Sequence, residues 1–171
     1  MSIKPILILP DPRLRQVAEP VEAFDDELKK TVADMFETMY DAPGVGLAGP
    51  QIGYMKRVVV IDLADEENPD SGKIAMVNPE IIAFGEETAI SEEGCLSIPE
   101  LYHEVERPST VTVRYRTPEG EEKTREATGR LAVAVQHEID HLDGVLYIDY
   151  LSRLKRDRVI KKFQKAAKRA S

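Results

Sequence analysis

Apolar residues recur at the three- and four-residue spacing of a helix in two long segments of this chain. The first segment begins after Asp25, which can cap a helix, and ends before Pro43 and Gly44. Its apolar positions are Leu28, Val32, Met35, Phe36 and Met39. The second begins at about Gly129 and can end at Gly144, and its apolar positions are Leu131, Val135, Ile139 and Leu142. We therefore predict two helices that each bury one face.

The segment between these helices has the pattern of strands and turns. Residues 44–53 are rich in glycine and predict a loop, and the β-branched run 57–63 predicts a strand. Residues 65–72 are polar, with a proline and a glycine, and predict an exposed connection between strands. Shorter strands are predicted at 74–77, 80–84 and 87–90.

Alternating residues on both sides of a turn predict a β-hairpin. Val111, Val113 and Tyr115 alternate with polar neighbours, residues 118–120 (PEG) supply turn chemistry, and a second alternating segment covers 121–127. A last helix is predicted over residues 152–169. A helix, several antiparallel strands and then two helices indicate an α+β fold.

The length and composition fit an ordered protein. The chain has 171 residues, enough for one core, and 42% of them are hydrophobic and 32% charged. Its apolar N-terminal stretch is shorter than a signal-peptide core, and no run reaches the length of a membrane span. Cys95 is the single cysteine, so it cannot form an internal disulfide and suits a reducing compartment. We therefore expect a cytoplasmic protein with residues 1–171 as a single domain.

Charge is distributed unevenly along the chain. The net charge of −8 argues against general affinity for nucleic acid, including DNA. Residues 152–171, however, contain nine Lys or Arg and one Asp, a net charge of +8, whereas residues 1–151 carry −16. This basic segment is typical of a solvated helix face; the alternative is a docking surface for an acidic partner such as ribosomal RNA.

The pentad HEIDH places two histidines four residues apart within the second predicted helix. His137 and His141 therefore share one helical face and can reach one metal ion, and Glu138 lies beside them. Two ordinary core histidines would give the same three-residue pattern, so the pentad alone leaves the choice open.

A catalytic metal site usually has three protein ligands, so a third is needed. No glutamate follows Glu138, which excludes the downstream glutamate of thermolysin-like enzymes, and Tyr147 stands where the longer pattern HExxHxxGxxH requires histidine. Cys95 is the sharpest candidate, because Gly94 before it permits a close backbone approach. The other candidates are His103, Asp143, Asp149 and Asp157.

Three segments resemble the signatures of the peptide deformylase family, in that family's usual order. They are residues 44–51 (GVGLAGPQ), 93–97 (EGCLS) and 136–141 (QHEIDH). Residues 10–15 (PDPRLR) also resemble the family, so the resemblance spans nearly the whole chain. Gly49 stands where the family usually has alanine, which predicts more backbone freedom in the loop just before Gln51.

The resemblance implies a catalytic domain with antiparallel β-sheets packed around a central HExxH helix, flanked by an N-terminal helix and a C-terminal helix. It implies that Cys95, His137 and His141 hold one divalent ion, natively iron(II) in much of the family, with zinc, nickel or cobalt able to occupy the site. The implied reaction removes the formyl group from the N-terminal formyl-methionine of nascent polypeptides.

The resemblance also implies roles for residues that do not bind the ion. Glu138 transfers protons as acid and base, while the Gln51 amide and the Leu96 backbone N–H stabilise charge on the formyl oxygen. Val45 and Gly46 contact the substrate. Glu93 and Asp140 can hydrogen-bond to the metal ligands and fix their orientation. The alternative is that both are ordinary charged surface residues.

Two other functions fit parts of the sequence. A zinc endopeptidase built on HEIDH would cut internal peptide bonds of unblocked peptides. A non-enzymatic, ribosome-binding protein with a structural metal site would use the basic C-terminal helix, but it has no use for Glu138 or Gln51.

Overall fold

The computed structural model describes residues 2–63 and 72–170. Three α-helices lie in these ranges: α1 (Asp26–Asp41), α2 (Gly129–Leu142) and α3 (Arg153–Ala170). The strands there are β1 (Gly46–Ala48), β2 (Val58–Ile61), β3 (Ile74–Phe84), β4 (Thr88–Cys95), β5 (Ile98–Pro108), β6 (Thr110–Arg116) and β7 (Glu122–Thr128). Short 3-10 turns cover Pro12–Arg15, Gly49–Ile52 and Tyr147–Tyr150.

The described strands form two antiparallel sheets. Five strands lie in the order β1-β2-β3-β6-β7, and β4 pairs with β5 in a separate two-stranded ribbon. β1 is therefore an edge strand, and β4 likewise has one edge that no described strand covers. Residues of both strands, Gly46 of β1 and Gly94 of β4, border the same cleft.

The helices α1 and α2 pack on opposite faces of the larger sheet. Val58 and Val60 of β2 belong to the hydrophobic cluster that contains α1, whereas Val59 and Ile61 belong to the cluster that contains α2. Alternate residues of a strand point to opposite faces, so β2 is buried on both sides. α2 also contacts the ribbon, since His137 bonds to Glu93 of β4, so it lies between the two sheets as the central helix. The α+β fold with antiparallel sheets is thus confirmed.

A third hydrophobic cluster attaches α3 to the rest of the chain. Val159 and Phe163 are buried against a group of apolar residues from the N-terminal segment, β5 and the last 3-10 turn. That group includes Leu9, Leu14, Ile98, Leu146, Tyr147 and Ile148. Most other α3 side chains are exposed. No helix in the described part of the chain combines the length and the apolar character of a membrane span.

The helix and hairpin predictions are confirmed. The Asp25 carboxylate accepts the Leu28 N–H at 3.0 Å as the cap of α1, and α2 begins at Gly129 as expected. Gly144 follows α2 with φ +74°, a left-handed conformation that suits glycine after a helix. The predicted hairpin is β6–β7.

Other strand predictions need correction. Residues 44–53 are not all loop, because Gly46–Ala48 pairs with β2 and Gly49–Ile52 forms a 3-10 turn. The predicted strands 74–77 and 80–84 are one strand, β3, interrupted by an irregularity at Asn78, whose φ is +51°. The strand predicted at 87–90 extends to Cys95, and β5 had no counterpart among the predictions. Of the predicted connection 65–72, residues 65–71 lie outside the described ranges.

Candidate metal centre

Two secondary-structure elements bring three potential metal ligands together. His137 and His141 lie one helical turn apart on α2, with ring centroids 5.1 Å apart, and Cys95 is the last residue of β4. The Cys95 Sγ lies 3.3 Å from the His141 Nε2. One ligand atom from each residue lies within 4.8 Å of the others, a spacing that one ion can bridge. Two imidazoles and a thiolate suit zinc, iron or a similar transition metal.

The other candidate ligands lie elsewhere and have other partners. His103 Nδ1 lies 3.2 Å from the Tyr147 hydroxyl. Asp143 pairs with Arg57, Asp149 with Arg15 and Asp157 with Arg153. Tyr147, which occupies the position of the third histidine in the longer pattern, stacks on the His137 ring with a centroid distance of 6.1 Å.

Both histidines are buried, and their surroundings shift their pKa values in opposite directions. His137 Nδ1 donates to Glu93 Oε1 across 3.0 Å, so Nε2 is the ring atom left for an ion. Burial lowers the pKa of His137, but Glu138, Cys95 and Glu93 outweigh it and raise that pKa well above its usual value, so this ring must release a proton before it binds an ion. Burial lowers the pKa of His141 well below its usual value, and the neighbouring His137 lowers it further. A neutral imidazole is the form that binds metal.

Glu93 belongs to a buried ion pair with Arg107, a residue that the sequence analysis missed. The Arg107 guanidinium, 4% exposed, donates two parallel hydrogen bonds of 2.6 and 2.9 Å to Glu93 and a third of 3.0 Å to Asp140. Its carbon lies 4.6 Å from the centre of the Tyr150 ring, and the Tyr150 hydroxyl donates to Asp140 at 2.8 Å. Burial raises the pKa of Glu93, but the bonds from His137 and Arg107 outweigh it and lower the pKa overall.

We expect Arg107→Lys to weaken metal binding about tenfold, the size of effect seen when the partner of a metal ligand is lost. Lysine keeps the positive charge but cannot make two parallel bonds to one carboxylate, so Glu93 would no longer be held against His137. Competition with a chelator measures the affinity. Arg114→Lys is the control, because Arg114 makes an exposed ion pair with Glu80. Equal affinities in wild type and Arg107→Lys would contradict this role.

Glu138 is buried beside the cluster and has an unsatisfied oxygen. Its Oε1 has no hydrogen-bond partner among the described residues. Burial raises the pKa of Glu138 to about 7, a value suited to both accepting and releasing a proton near neutral pH. A Cβ atom added to Gly46 would lie 2.5 Å from Glu138 Oε2, so β1 passes closely over this carboxylate.

Gln51 is fixed near the cluster by hydrogen bonds at both ends of its amide. Its Oε1 accepts the Ala48 N–H at 2.9 Å, and its Nε2 donates to Ser97 Oγ at 3.0 Å. The same Nε2 lies 3.6 Å from Cys95 Sγ. Leu96 follows Cys95 in the turn between β4 and β5. The structure therefore brings Gln51 and Leu96 to the side of the cluster that Cys95 occupies.

The loop before Gln51 is tightly packed, contrary to the freedom expected from Gly49. A Cβ atom at Gly49 would lie 2.6 Å from the Tyr54 carbonyl oxygen and 2.7 Å from that of Lys56. The Gly49 carbonyl also accepts the Tyr54 N–H at 3.0 Å. Glycine here permits close backbone packing rather than movement.

Two cavities meet at the cluster. The metal cleft, about 650 Å³, runs between β1 and β4 and is lined by Gly44, Val45, Gly46 and Gly94 among others. The side cavity, about 440 Å³, has mainly apolar walls. These walls include Val45, Leu63, Ala89, Val133 and Ala134. His137 and Glu138 line both cavities, so a molecule that spans them passes the cluster.

Comparisons with known proteins agree with this geometry. Residues 3–157 match the family model described as polypeptide deformylase. The chain is 58% identical over 172 residues to the peptide deformylase of Brucella suis, covering 100% of this chain and 98% of the relative. It is 55% identical to that of Rhizobium meliloti, covering 98% and 96%. The crystal structure of peptide deformylase from Ehrlichia chaffeensis in complex with actinonin is similar, with a TM-score of 0.92, 40% identity and coverage of 97% and 98%.

Proposed function

The chain belongs to the polypeptide deformylase family, and on that premise we propose how its own residues carry out the reaction. It is a metal-dependent hydrolase that removes the formyl group from the N-terminal formyl-methionine of newly synthesised polypeptides and releases formate. The observation that carries the mechanism is the convergence of a thiol and two imidazoles beside a buried carboxylate, that of Glu138.

In the proposed site, Cys95 Sγ and the Nε2 atoms of His137 and His141 hold the ion. Three observations support this assignment: the convergence of the three side chains, the neutral state of His141, and the bond of His137 Nδ1 to Glu93, which leaves Nε2 for the ion. Three protein ligands are typical of catalytic rather than structural sites. When bound, such an ion polarises a carbonyl group and lowers the pKa of water from about 15.7 towards neutrality.

Glu138 is the proposed acid and base. Its carboxylate takes the proton of the attacking water and then delivers it to the amine nitrogen, which must be protonated to leave readily. Burial of the carboxylate supports this role, because it raises the pKa of Glu138 to about 7, which allows both transfers near neutral pH.

Gln51 and Leu96 are the proposed hydrogen-bond donors to the formyl oxygen. Negative charge develops on that oxygen when water adds to the carbonyl carbon, so donors fixed in advance lower the barrier. The Gln51 Nε2 carries two hydrogens: Ser97 Oγ accepts one, and the other is directed to Cys95 Sγ, on the side of the proposed ion. The Leu96 backbone N–H follows directly after the proposed sulfur ligand.

The substrate backbone is proposed to lie in the metal cleft between the open edges of β1 and β4. An extended peptide can add to an exposed strand edge through backbone hydrogen bonds. Val45 and Gly46 are the proposed contacts on the β1 side, and both line the cleft. The side cavity, with its mainly apolar walls, is the proposed position of the methionine side chain.

Formate release from a formyl-methionyl peptide tests this function. The same enzyme is given the acetylated peptide and an unblocked peptide with internal bonds. We expect formate from the first substrate and negligible turnover of the other two. Cleavage of internal bonds would favour a zinc endopeptidase, and absence of all turnover by the metal-loaded protein would favour the non-enzymatic alternative.

Iron(II) is the proposed native ion, with zinc, nickel or cobalt as substitutes. The thiolate of Cys95 and an iron(II) ion can both be oxidised, so activity should be lost on exposure to peroxide. We expect the anaerobically purified protein to contain iron. Peroxide should abolish its activity and add oxygen to Cys95, which mass spectrometry detects. The nickel-loaded protein, treated in the same way, is the comparison. Full activity of the iron protein after peroxide would contradict iron–thiolate ligation.

Contact with the ribosome is proposed for the basic C-terminal helix. Residues 1–171 are taken as a single catalytic domain acting in the cytoplasm, with residues 152–169 as this helix. Lys161, Lys162 and Lys165 are exposed, whereas Val159 and Phe163 anchor α3 in the core.

We expect reversal of the three exposed lysines to glutamate to reduce co-sedimentation with ribosomes at low salt, because binding to phosphates depends on cationic groups. Formate release from a short peptide should be unchanged. Full ribosome binding by the reversed variant would refute the contact.

A further inference from the structure

The wall of the side cavity contains a buried hydroxyl that has no hydrogen-bond partner among the described residues. This atom is Oγ of Ser91, on β4. Ser91 precedes Glu93 by two residues, and residues two apart on a strand point to the same face. Ser91 therefore lies on the face of β4 from which Glu93 reaches His137.

Three neighbouring polar side chains of this wall have hydrogen-bond partners, and the unsatisfied oxygen of Glu138 is assigned to proton transfer. The second hydroxyl there, that of Ser109, donates to the Glu87 carbonyl at 3.2 Å. Arg107 and Glu93 are bonded to each other. A buried hydroxyl without a partner costs free energy, because it has given up its hydrogen bonds to water. A ligand with an acceptor atom at this point of the cavity would recover part of that cost.

We propose that Ser91 is a specificity-determining residue, which favours methionine by donating its hydroxyl hydrogen to the thioether sulfur. A thioether sulfur is a weak acceptor, and no other atom of the methionine side chain accepts a hydrogen bond. Norleucine has nearly the same shape but a methylene group in place of sulfur, so it would leave the hydroxyl unsatisfied. This proposal rests on the deformylase activity and on the side cavity as the position of the methionine side chain.

The test compares kcat/KM for formyl-Met-Ala and formyl-norleucine-Ala peptides in enzymes loaded with the same metal. We expect wild type to prefer methionine and Ser91→Ala to reduce the methionine-to-norleucine ratio about fivefold, the size of one weak hydrogen bond. The fall in kcat/KM should occur with the methionine substrate rather than with the norleucine substrate. Ser109→Ala is the matched control and should keep the wild-type ratio, since its hydroxyl is already bonded to Glu87. Ser91→Thr retains the hydroxyl and should keep most of the preference.

Three results would overturn the proposal. They are an unchanged ratio in Ser91→Ala, an equal loss for both substrates, and the same loss of preference in Ser109→Ala. Thermal unfolding of each variant separates a fall in activity through loss of structure from a change in preference. Absence of formate release by wild type would instead contradict the deformylase function, so the two failures are distinguishable.

Discussion

Glu138→Gln is expected to retain its metal and to lose about 1,000-fold in kcat, which is within the usual contribution of a general acid and base. Glutamine has nearly the same shape, but it can neither take the proton of water nor deliver one to the leaving amine. Among the described residues, Glu138 is the one carboxylate that lines both cavities, so no other is placed to replace it. Formate release at saturating formyl-methionyl peptide measures kcat.

Metal content must be measured for the same samples, because loss of the ion would also abolish activity. Glu92→Gln is the control, since Glu92 neighbours the site on β4 but its side chain is exposed. Its kcat should equal that of wild type. Equal formate release by Glu138→Gln and wild type would refute the assignment of proton transfer to Glu138.

Gly46→Ala is expected to lower kcat about 100-fold, since a displacement of about 1 Å in a catalytic group can have this effect. The added methyl group would lie 2.5 Å from Glu138 Oε2 and 3.0 Å from its Cδ, so the carboxylate must move. Gly46 is thus inferred to position Glu138, in addition to the substrate contact expected from the sequence. Steady-state kinetics separate the two roles, because displacement of Glu138 lowers kcat, whereas a lost backbone contact raises KM.

A double-mutant cycle sharpens this test. Aspartate at position 138 is shorter by one methylene and should leave room for the methyl group. We therefore expect Gly46→Ala to cost much less in the Glu138→Asp enzyme than in wild type. Gly85→Ala is the control, because an added Cβ there meets Thr110 on the surface rather than the site. Equal costs of Gly46→Ala in both backgrounds would contradict a steric effect on Glu138.

The sequence predicts elements best where local pattern and tertiary burial agree. The spacing of His137 and His141 needs only a helix to place both rings on one face, and α2 provides it. The sequence pattern does not predict β1 or β5, for two different reasons. β1 is three residues long and contains glycine, so its strand character depends on pairing with β2, whereas β5 contains charged and proline residues that hide its alternation.

The contacts behind the proposed metal ligands could not be predicted, because they depend on tertiary structure. Arg107 lies fourteen positions from Glu93, and only the antiparallel pairing of β4 with β5 brings the two side chains together. Nothing near Arg107 in the sequence distinguishes it from the exposed arginines of the chain. The sequence analysis expected Asp140 to lie behind the proposed ligands. It belongs to the same group of charges, because it accepts a hydrogen bond from Arg107.

The ribbon β4–β5 is separate from the larger sheet, and this affects how metal binding contributes to the stability of the fold. With the proposed ligands, the ion joins Cys95 of the ribbon to His141 of α2, which is 46 positions away in the chain. It therefore acts as a cross-link that closes a long loop and is lost when the chain unfolds. Since a ligand that binds only the native state shifts the folding equilibrium towards it, loading with metal is expected to raise the stability of the fold as well as the activity.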